Sequence, residues 1–584
     1  MPTSRGPGSS AARVHFERAH ALERLADGSF DVLVIGGGIT GAGVALDAAS
    51  RGLRTALVEK DDFSSGTSSK SSKLVHGGIR YLQQRELRLV YENLAERQRL
   101  LQNAPHLVTP LPFLVPLFSS DGWWAPHLYR TALWLYDRTG GARIGRRYQR
   151  VTRDEALSHF PALRTDHLAA GFLYWDARTD DARLTLSVIR TAVLAYGATA
   201  VNHAKVGSLL ADPGGHVEGA VVEPDGGDPF PVRAQVVVNA TGVWADDACA
   251  LDADRQPASI RPAKGVHVTV PASVFPCDIA AVIPVAKDRR TIFAVPWGDQ
   301  VYLGTTDTAW TGPLDDPGCL PEDVDDILDA ANAVATNPLS RSDVTGVWAG
   351  LRPLLAPAPG THSPRERTAD LSRRHTVRRS SSGIITVTGG KLTTYRKMAE
   401  DTVDSVVHAL GGPKRPCVTR DLRLHGAGTQ PRVRPEITAH PEERSTLDPA
   451  ARAAAHLAGR YGSETPAVLD LAAERADLLE PLVPGLAYLR VEALSAVRHE
   501  MASSLADVLE RRTRAVLRDA RSCAAAAAEI ASLIGPELGW PEDRQRHEAA
   551  AYARTVLDDL ARAGLSTRAG QSVGGRSDDD RNET

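Results

Sequence analysis

Apolar positions near the start of the chain fall into short, unbroken runs. DVLVI, Asp31 to Ile35, is continuous in the way of a parallel strand buried on both faces. It runs straight into Gly36, Gly38 and Gly41, a G-x-G-x-x-G at the point where a strand turns into a helix, and TALVE then forms a second strand ending at Glu59. Two later segments repeat the design. Val236 to Val238 lead into the small-residue turn Ala240–Gly242, and Ile384 to Val387 lead through Gly389 and Gly390 into a long amphipathic helix. HVTV, at His267, is a further strand, and DDAR, Asp180 to Arg183, begins a helix with Asp180 or Asp181 as its cap or first-turn acid. From about Asp421 the period changes: Ala, Leu and Val recur with Arg and Glu between them, as in AARAAAHLAGRYG and VRHEMASSLADVLERRTRAVL, and predict a helical region.

Composition narrows the class. A chain of 584 residues exceeds what one core usually serves and predicts two or three domains. A net charge of −3 gives no global attraction for nucleic acid, so any anion site is local. The five cysteines lie far apart without metal-like spacing, which fits a reducing, cytosolic setting and predicts no metal. The first residues hold no apolar h-region, and no run of about eighteen apolar residues predicts a transmembrane helix. The tail after about Arg568 is polar and reads as disordered.

The first motif carries the clearest chemistry. Gly36 permits a tight turn, Gly38 lets the backbone approach a pyrophosphate, and Gly41 lets helix and strand pack closely. The helix N-terminus offers free N–H groups to phosphate, and Glu59 stands where an acid binds a ribose hydroxyl, which suits FAD or NAD better than NADP. The second glycine pair, at 389–390, supplies another helix N-terminus. A nicotinamide has little use for it, whereas a reduced flavin carries negative charge that a helix dipole stabilises.

With SSKSSKLVHGGIRYL, NATGVWAD, KGVHV, FAVPW, LGTTD, AGLRPLL, SRRHTV and GGKLTTYRKMAE in order, the chain resembles the FAD-dependent glycerol-3-phosphate dehydrogenases, from about Phe30 to about Val556. These stand within the glycine- and D-amino-acid-oxidase-like flavoproteins. The resemblance implies an α/β fold: a Rossmann-like FAD-binding domain with an interleaved antiparallel substrate sheet over 30–415, a C-terminal helical cap over 421–568, an extension over 1–29 and a disordered tail over 569–584. It places Ser68, Ser69, Ser71, Ser72, Lys73, His76, Gly77 and Gly78 around the flavin, together with Ala240, Gly242, Gly389, Gly390, Leu392 and Thr393.

The implied substrate is glycerol 3-phosphate, oxidised at C2 to dihydroxyacetone phosphate by hydride transfer to flavin N5. Arginine forks suit its phosphate. Arg352 and Arg373 are the first candidates, with Arg80 and Tyr81 beside them and Lys391 near the flavin carbonyl and the substrate oxygen; Arg374 is the alternative to Arg373. His267 is the favoured base and His76 the second, while the acids of GTTD and DDAR are read as structural. The family passes electrons to a membrane quinone, which implies a peripheral protein at the inner face of the plasma membrane and admits a homodimer. Trp123, Trp124, Tyr129, Trp134 and Tyr136, followed by Arg143, Arg146, Arg147 and Arg150, suit either a membrane surface or a packed aromatic helix with a solvated basic loop. An oxygen-using oxidase of this substrate, an amine or a 2-hydroxy acid, and a non-catalytic FAD-binding sensor, remain the rival readings.

Overall fold

In the computed structural model, residues 16–79, 81, 86–119, 122–166, 168–252, 260–285, 290–356, 374–413, 415–428 and 449–568 are described. Arg80, Arg373, the first fifteen residues and the tail from 569 onward lie outside them.

The apolar run at the start becomes the strand Ser29–Ile35, flanked on one side by Thr55–Val58 and on the other by Phe230–Asn239, all parallel. Ile385–Thr388 extends the parallel sheet beyond Phe230–Asn239, and Thr199–Val201 extends it beyond Thr55–Val58. Val32, Leu33 and Val34 are wholly buried, because helices cover the sheet. The helix Ile39–Ser50 packs between Asp181–Tyr196 and Tyr395–Ala409. It approaches the last of these closely at Gly43, where a Cβ would stand 2.8 Å from the Tyr395 ring.

A second, largely antiparallel sheet carries the strand Ile260–Pro271, paired with Gln300–Gly304 and Gly346–Leu355. Val266, Val268 and Val270 alternate into one apolar cluster, which puts His267 on the opposite face, opposite Gly304 on one neighbour and Trp348 on the other. That same cluster takes in Leu509, Ile530 and Tyr552 from the C-terminal helices. The Ala-rich stretch forms the helix Ala520–Ile534, which buries Cys523, Ala526, Ala527 and Ile530 on one side. Charge ties this region to the helix Asp181–Tyr196 as well: Arg183 pairs with Glu500 and Arg190 with Glu464.

Candidate active site

The glycine turn is shaped by what cannot fit there. A Cβ on Gly41 would lie 1.9 Å from the Gly36 carbonyl oxygen, and one on Gly36, whose φ is +110°, would lie 2.7 Å from the Ala240 carbonyl. Three strand ends therefore close on one point, above the N-terminus of Ile39–Ser50. Ser68 reaches in from the following loop, its Oγ accepting from the Ile39 N–H at 2.9 Å. Glu59 is buried and accepts from the Gly37 N–H at 2.6 Å and the Asp61 N–H at 2.9 Å. Burial outweighs those two bonds and pushes its carboxyl up to about 6. Beyond Glu59 lies a cavity of about 740 Å³ lined by Lys60, Ser65, Gly66, Thr67, Val243 and Trp244 among others. The Trp244 Nε1 there is buried with no hydrogen-bond partner among the described residues. Gly242, at φ +65°, has open space where a Cβ would point.

The loop from Ser68 to Gly78 is held from behind at nearly every residue. Ser71 donates through Oγ to Asp181 at 2.6 Å, and Lys73 Nζ donates to the same carboxylate at 3.1 Å. Tyr302 donates to the Ser72 carbonyl and Trp348 to the Ser71 carbonyl. Lys73 is thus turned into the protein, its Nζ 4.9 Å from the Trp348 ring centroid. Burial, reinforced by Arg514 and opposed by Asp181, pushes its ammonium down to about 8. The Ser72 hydroxyl lies 2.9 Å from His267 Nε2, and the imidazole stacks flat on Trp348 at 4.8 Å. Burial first, then Lys73 and Arg352, hold His267 well below the ordinary histidine value, so the ring is neutral. Its Nδ1 is buried with no hydrogen-bond partner among the described residues.

Farther along, the Gly77 N–H donates to Tyr136 Oη at 2.9 Å and to Asp176 at 3.1 Å, a pair itself bound by Arg97. The His76 N–H donates to Thr393 Oγ1 at 3.2 Å, which joins HGG to the segment Gly389–Thr393. Gly389 and Gly390 both have φ near +77°, at +76° and +78°. Between those loops, Lys391 Nζ sits 3.8 Å over the Tyr81 ring, and Leu392 begins the short helix Leu392–Thr394. Arg352 reaches along the second sheet to Asp307 at 3.0 Å, Thr305 Oγ1 at 3.1 Å and the Thr306 carbonyl at 2.9 Å. The structure thus groups Gly36, Gly38, Gly41, Glu59, Ser68 and Ala240 at one end. His267 meets Ser72 on the sheet face, with Arg352 near enough to act on its charge, while Tyr81 and Lys391 lie by the two glycine pairs. Arg374, the alternative cation, is an exposed residue 3.5 Å from Glu86.

Known proteins resemble this chain in sequence and fold. The family model described as FAD dependent oxidoreductase matches residues 31–396, and that described as the C-terminal domain of alpha-glycerophosphate oxidase matches 417–545. A glycerol-3-phosphate dehydrogenase of Mycobacterium leprae is 42% identical over 549 residues, 94% of this chain and 92% of its own. The chain belongs to the FAD-dependent glycerol-3-phosphate dehydrogenases. Within that family, the mitochondrial glycerol-3-phosphate dehydrogenase of Mesocricetus auratus is 37% identical, covering 96% of this chain and 76% of its own. The crystal structure of the Bacillus halodurans glycerol-3-phosphate dehydrogenase, complexed with FAD, superposes with a TM-score of 0.72 at 34% identity, covering 93% of this chain and 97% of that one. The fold is that of the FAD-dependent oxidoreductases, completed by a helical C-terminal region.

Sequence reasoning passed over several residues that shape the site. Trp348, the stacking partner of His267, sits in the same strand as Arg352, four residues before it and so on the same face, just ahead of AGLRPLL. Asp181, named in the sequence only as a structural acid at a helix start, holds both Ser71 and Lys73 of the loop. Arg511, Arg512 and Arg514 stood in a stretch legible only as helical; the burial of Arg512 and Arg514 was the missing signal.

Proposed function

We propose that this protein binds FAD across the glycine turn and the Ser68–Gly78 loop and oxidises sn-glycerol 3-phosphate to dihydroxyacetone phosphate, passing the electrons to a membrane quinone. FAD fits the residues present: two glycines that exclude a Cβ, a helix N-terminus for the pyrophosphate, Glu59 for a ribose hydroxyl, and the unpartnered Trp244 Nε1 in the adjoining cavity. Bound there, FAD supplies a two-electron acceptor for hydride.

The observation that carries the substrate assignment is the meeting of a neutral histidine and an arginine on one sheet face beside the flavin loop. Arg352 is close enough to His267 to depress its basicity, yet it is held by Asp307, Thr305 and Thr306 and is not buried outright. Its fork presents fixed positive charge to the phosphate dianion. His267, already deprotonated, takes the proton from the C2 hydroxyl as the alcohol is oxidised. Lys391, aligned over Tyr81, adds a second cation toward the substrate oxygen.

The acceptor reading rests on a surface. Trp123, Trp124, Leu128 and Trp134 project from around the helix Ala125–Arg138, Trp123 with 84% of its area exposed. Leu87 and Tyr91 are exposed as well, Arg143 lying over the Tyr91 ring at 5.0 Å. Arg146, Arg147 and Arg150 are exposed alongside. No helix among the described residues is long and apolar enough to cross a membrane. This aromatic and basic face suits the headgroup region of the cytoplasmic leaflet. Tyr136 on the inner side of the same helix binds Gly77, so the membrane-facing helix directly supports the flavin loop.

An anaerobic titration with glycerol 3-phosphate, followed by the visible absorbance of oxidised flavin, tests the reaction. Bleaching by this substrate, and not by glycerol or an amino acid, is the expected result. A protein that stays yellow would remove the substrate assignment and leave a flavin-binding protein of another function.

A further inference from the structure

The segment ERRTR, Glu510 to Arg514, belongs to the C-terminal helical region, yet its arginines end inside the cofactor region. Arg512 forms a bidentate pair with Asp62, at 2.6 and 2.9 Å, and Arg511 binds the same carboxylate at 2.6 Å. Arg514 donates to the Ser69 carbonyl and, at 3.1 Å, to Asp181, the carboxylate that also holds Ser71 and Lys73. Asp62, Arg512 and Arg514 are buried to 2% exposure or less. Arg514 occupies the left-handed region, φ +72°, which an arginine adopts only when its surroundings impose it.

These contacts grip the loop at two points, Asp62 and Ser69. Between them runs the stretch that meets the glycine turn: the Ser64 N–H donates to the Gly37 carbonyl at 3.1 Å, and Ser68 caps the Ile39 N–H. We infer that the C-terminal region is part of the cofactor cradle, with Arg512 and Arg514 as positioning residues that set the distance between the Ser64–Ser69 loop and the phosphate-binding helix terminus. A helical cap that merely covered the sheet would need no charged side chain reaching a backbone carbonyl of this loop, at the cost of stripping a guanidinium of water. The inference rests on the reading of the Ser68 loop as part of the flavin site.

The test compares holoenzymes of the wild type, R514K, R514M and S68A. FAD retention is read by flavin fluorescence across a dilution series, the flavin's visible band by absorbance, and folding by thermal melting. Loss of a charge-assisted bond to the loop predicts that R514M weakens FAD retention about tenfold or more and displaces the visible band. R514K, which keeps the charge but loses the fork, falls between. Should R514M fail to fold, R514K carries the comparison alone. If R514K and any folded R514M retain FAD and its band as the wild type does while S68A does not, the positioning role is overturned and the flavin-loop reading stands. If S68A is also silent, both fall.

Discussion

Glu59 shows how much of this site is held in place by burial. Its two oxygens are taken by backbone N–H groups, yet the loss of water around it dominates and raises its carboxyl from 4.5 to about 6. A raised carboxyl binds its proton more tightly in the folded state than in the unfolded one. Its contribution to stability is therefore fully present below about 4.5 and is lost as pH rises through about 6. The shift corresponds to about 2 kcal/mol, as an order of magnitude. In cofactor-stripped protein, the melting temperature of the wild type relative to Glu59→Gln falls between pH 4.5 and pH 6 and levels off above it. Parallel melting curves for the two proteins across that range would show that the carboxyl is solvated instead. His267 has the opposite sign: burial resists its protonation, so it loses stability as pH drops below the ordinary histidine range.

At the scale of elements, the glycine turn and its helix differ from other glycine-containing turns by what each position excludes. Gly41 has no room for a Cβ, whereas Gly242 needs only glycine's left-handed backbone freedom, since a Cβ there would meet nothing within 4 Å. Gly41→Ala forces helix and strand apart, an overpacking that costs about 1–3 kcal/mol or more and weakens FAD binding by about tenfold or more. Gly242→Ala pays only left-handed strain, about 1 kcal/mol, and Gly242→Asn less. Melting and FAD retention of the three variants separate the cases, and equal losses at both positions would contradict the packing account. This contrast also marks what the sequence could convey. The strands at 31–35, 55–59 and 236–238 were legible because a buried parallel strand must be apolar throughout, and the glycines because nothing else fits. His267 and Arg352 stood out only as members of family motifs, since strand alternation says which face a residue takes and not what lies across it. Asp181, Trp348 and Arg514 were illegible for the same reason: their roles arise from contacts over long sequence separations, 110 residues in the case of Ser71 and Asp181.

At the scale of the whole molecule, the Ser64–Gly78 loop is backed by three bodies: the parallel sheet through Gly37, the antiparallel sheet through His267 and Tyr302, and the C-terminal helices through Arg514. The fourth side is the helix Ala125–Arg138, whose Tyr136 binds Gly77 and whose outer face carries the exposed tryptophans. Large aromatic side chains left in water on one face, with arginines beside them, lower the cost of exposure when the face rests in lipid headgroups. Two forces then act, and they separate by salt. Attraction of Arg143, Arg146, Arg147 and Arg150 to anionic lipid is screened within about 8 Å at physiological ionic strength, whereas aromatic insertion is not. Cosedimentation with vesicles containing phosphatidylserine should thus weaken with added salt but persist. Replacing Trp123, Trp124 and Trp134 together with Ala should lower the salt-resistant binding by about tenfold or more. Oxidation of glycerol 3-phosphate with a water-soluble dye as acceptor should be unchanged in the same variant, because those three side chains point away from the loop, while reduction of a quinone embedded in the vesicles should fall with binding. Undiminished vesicle binding by the triple variant would return this helix to the reading of an ordinary packed surface element and send the search for the acceptor to another face.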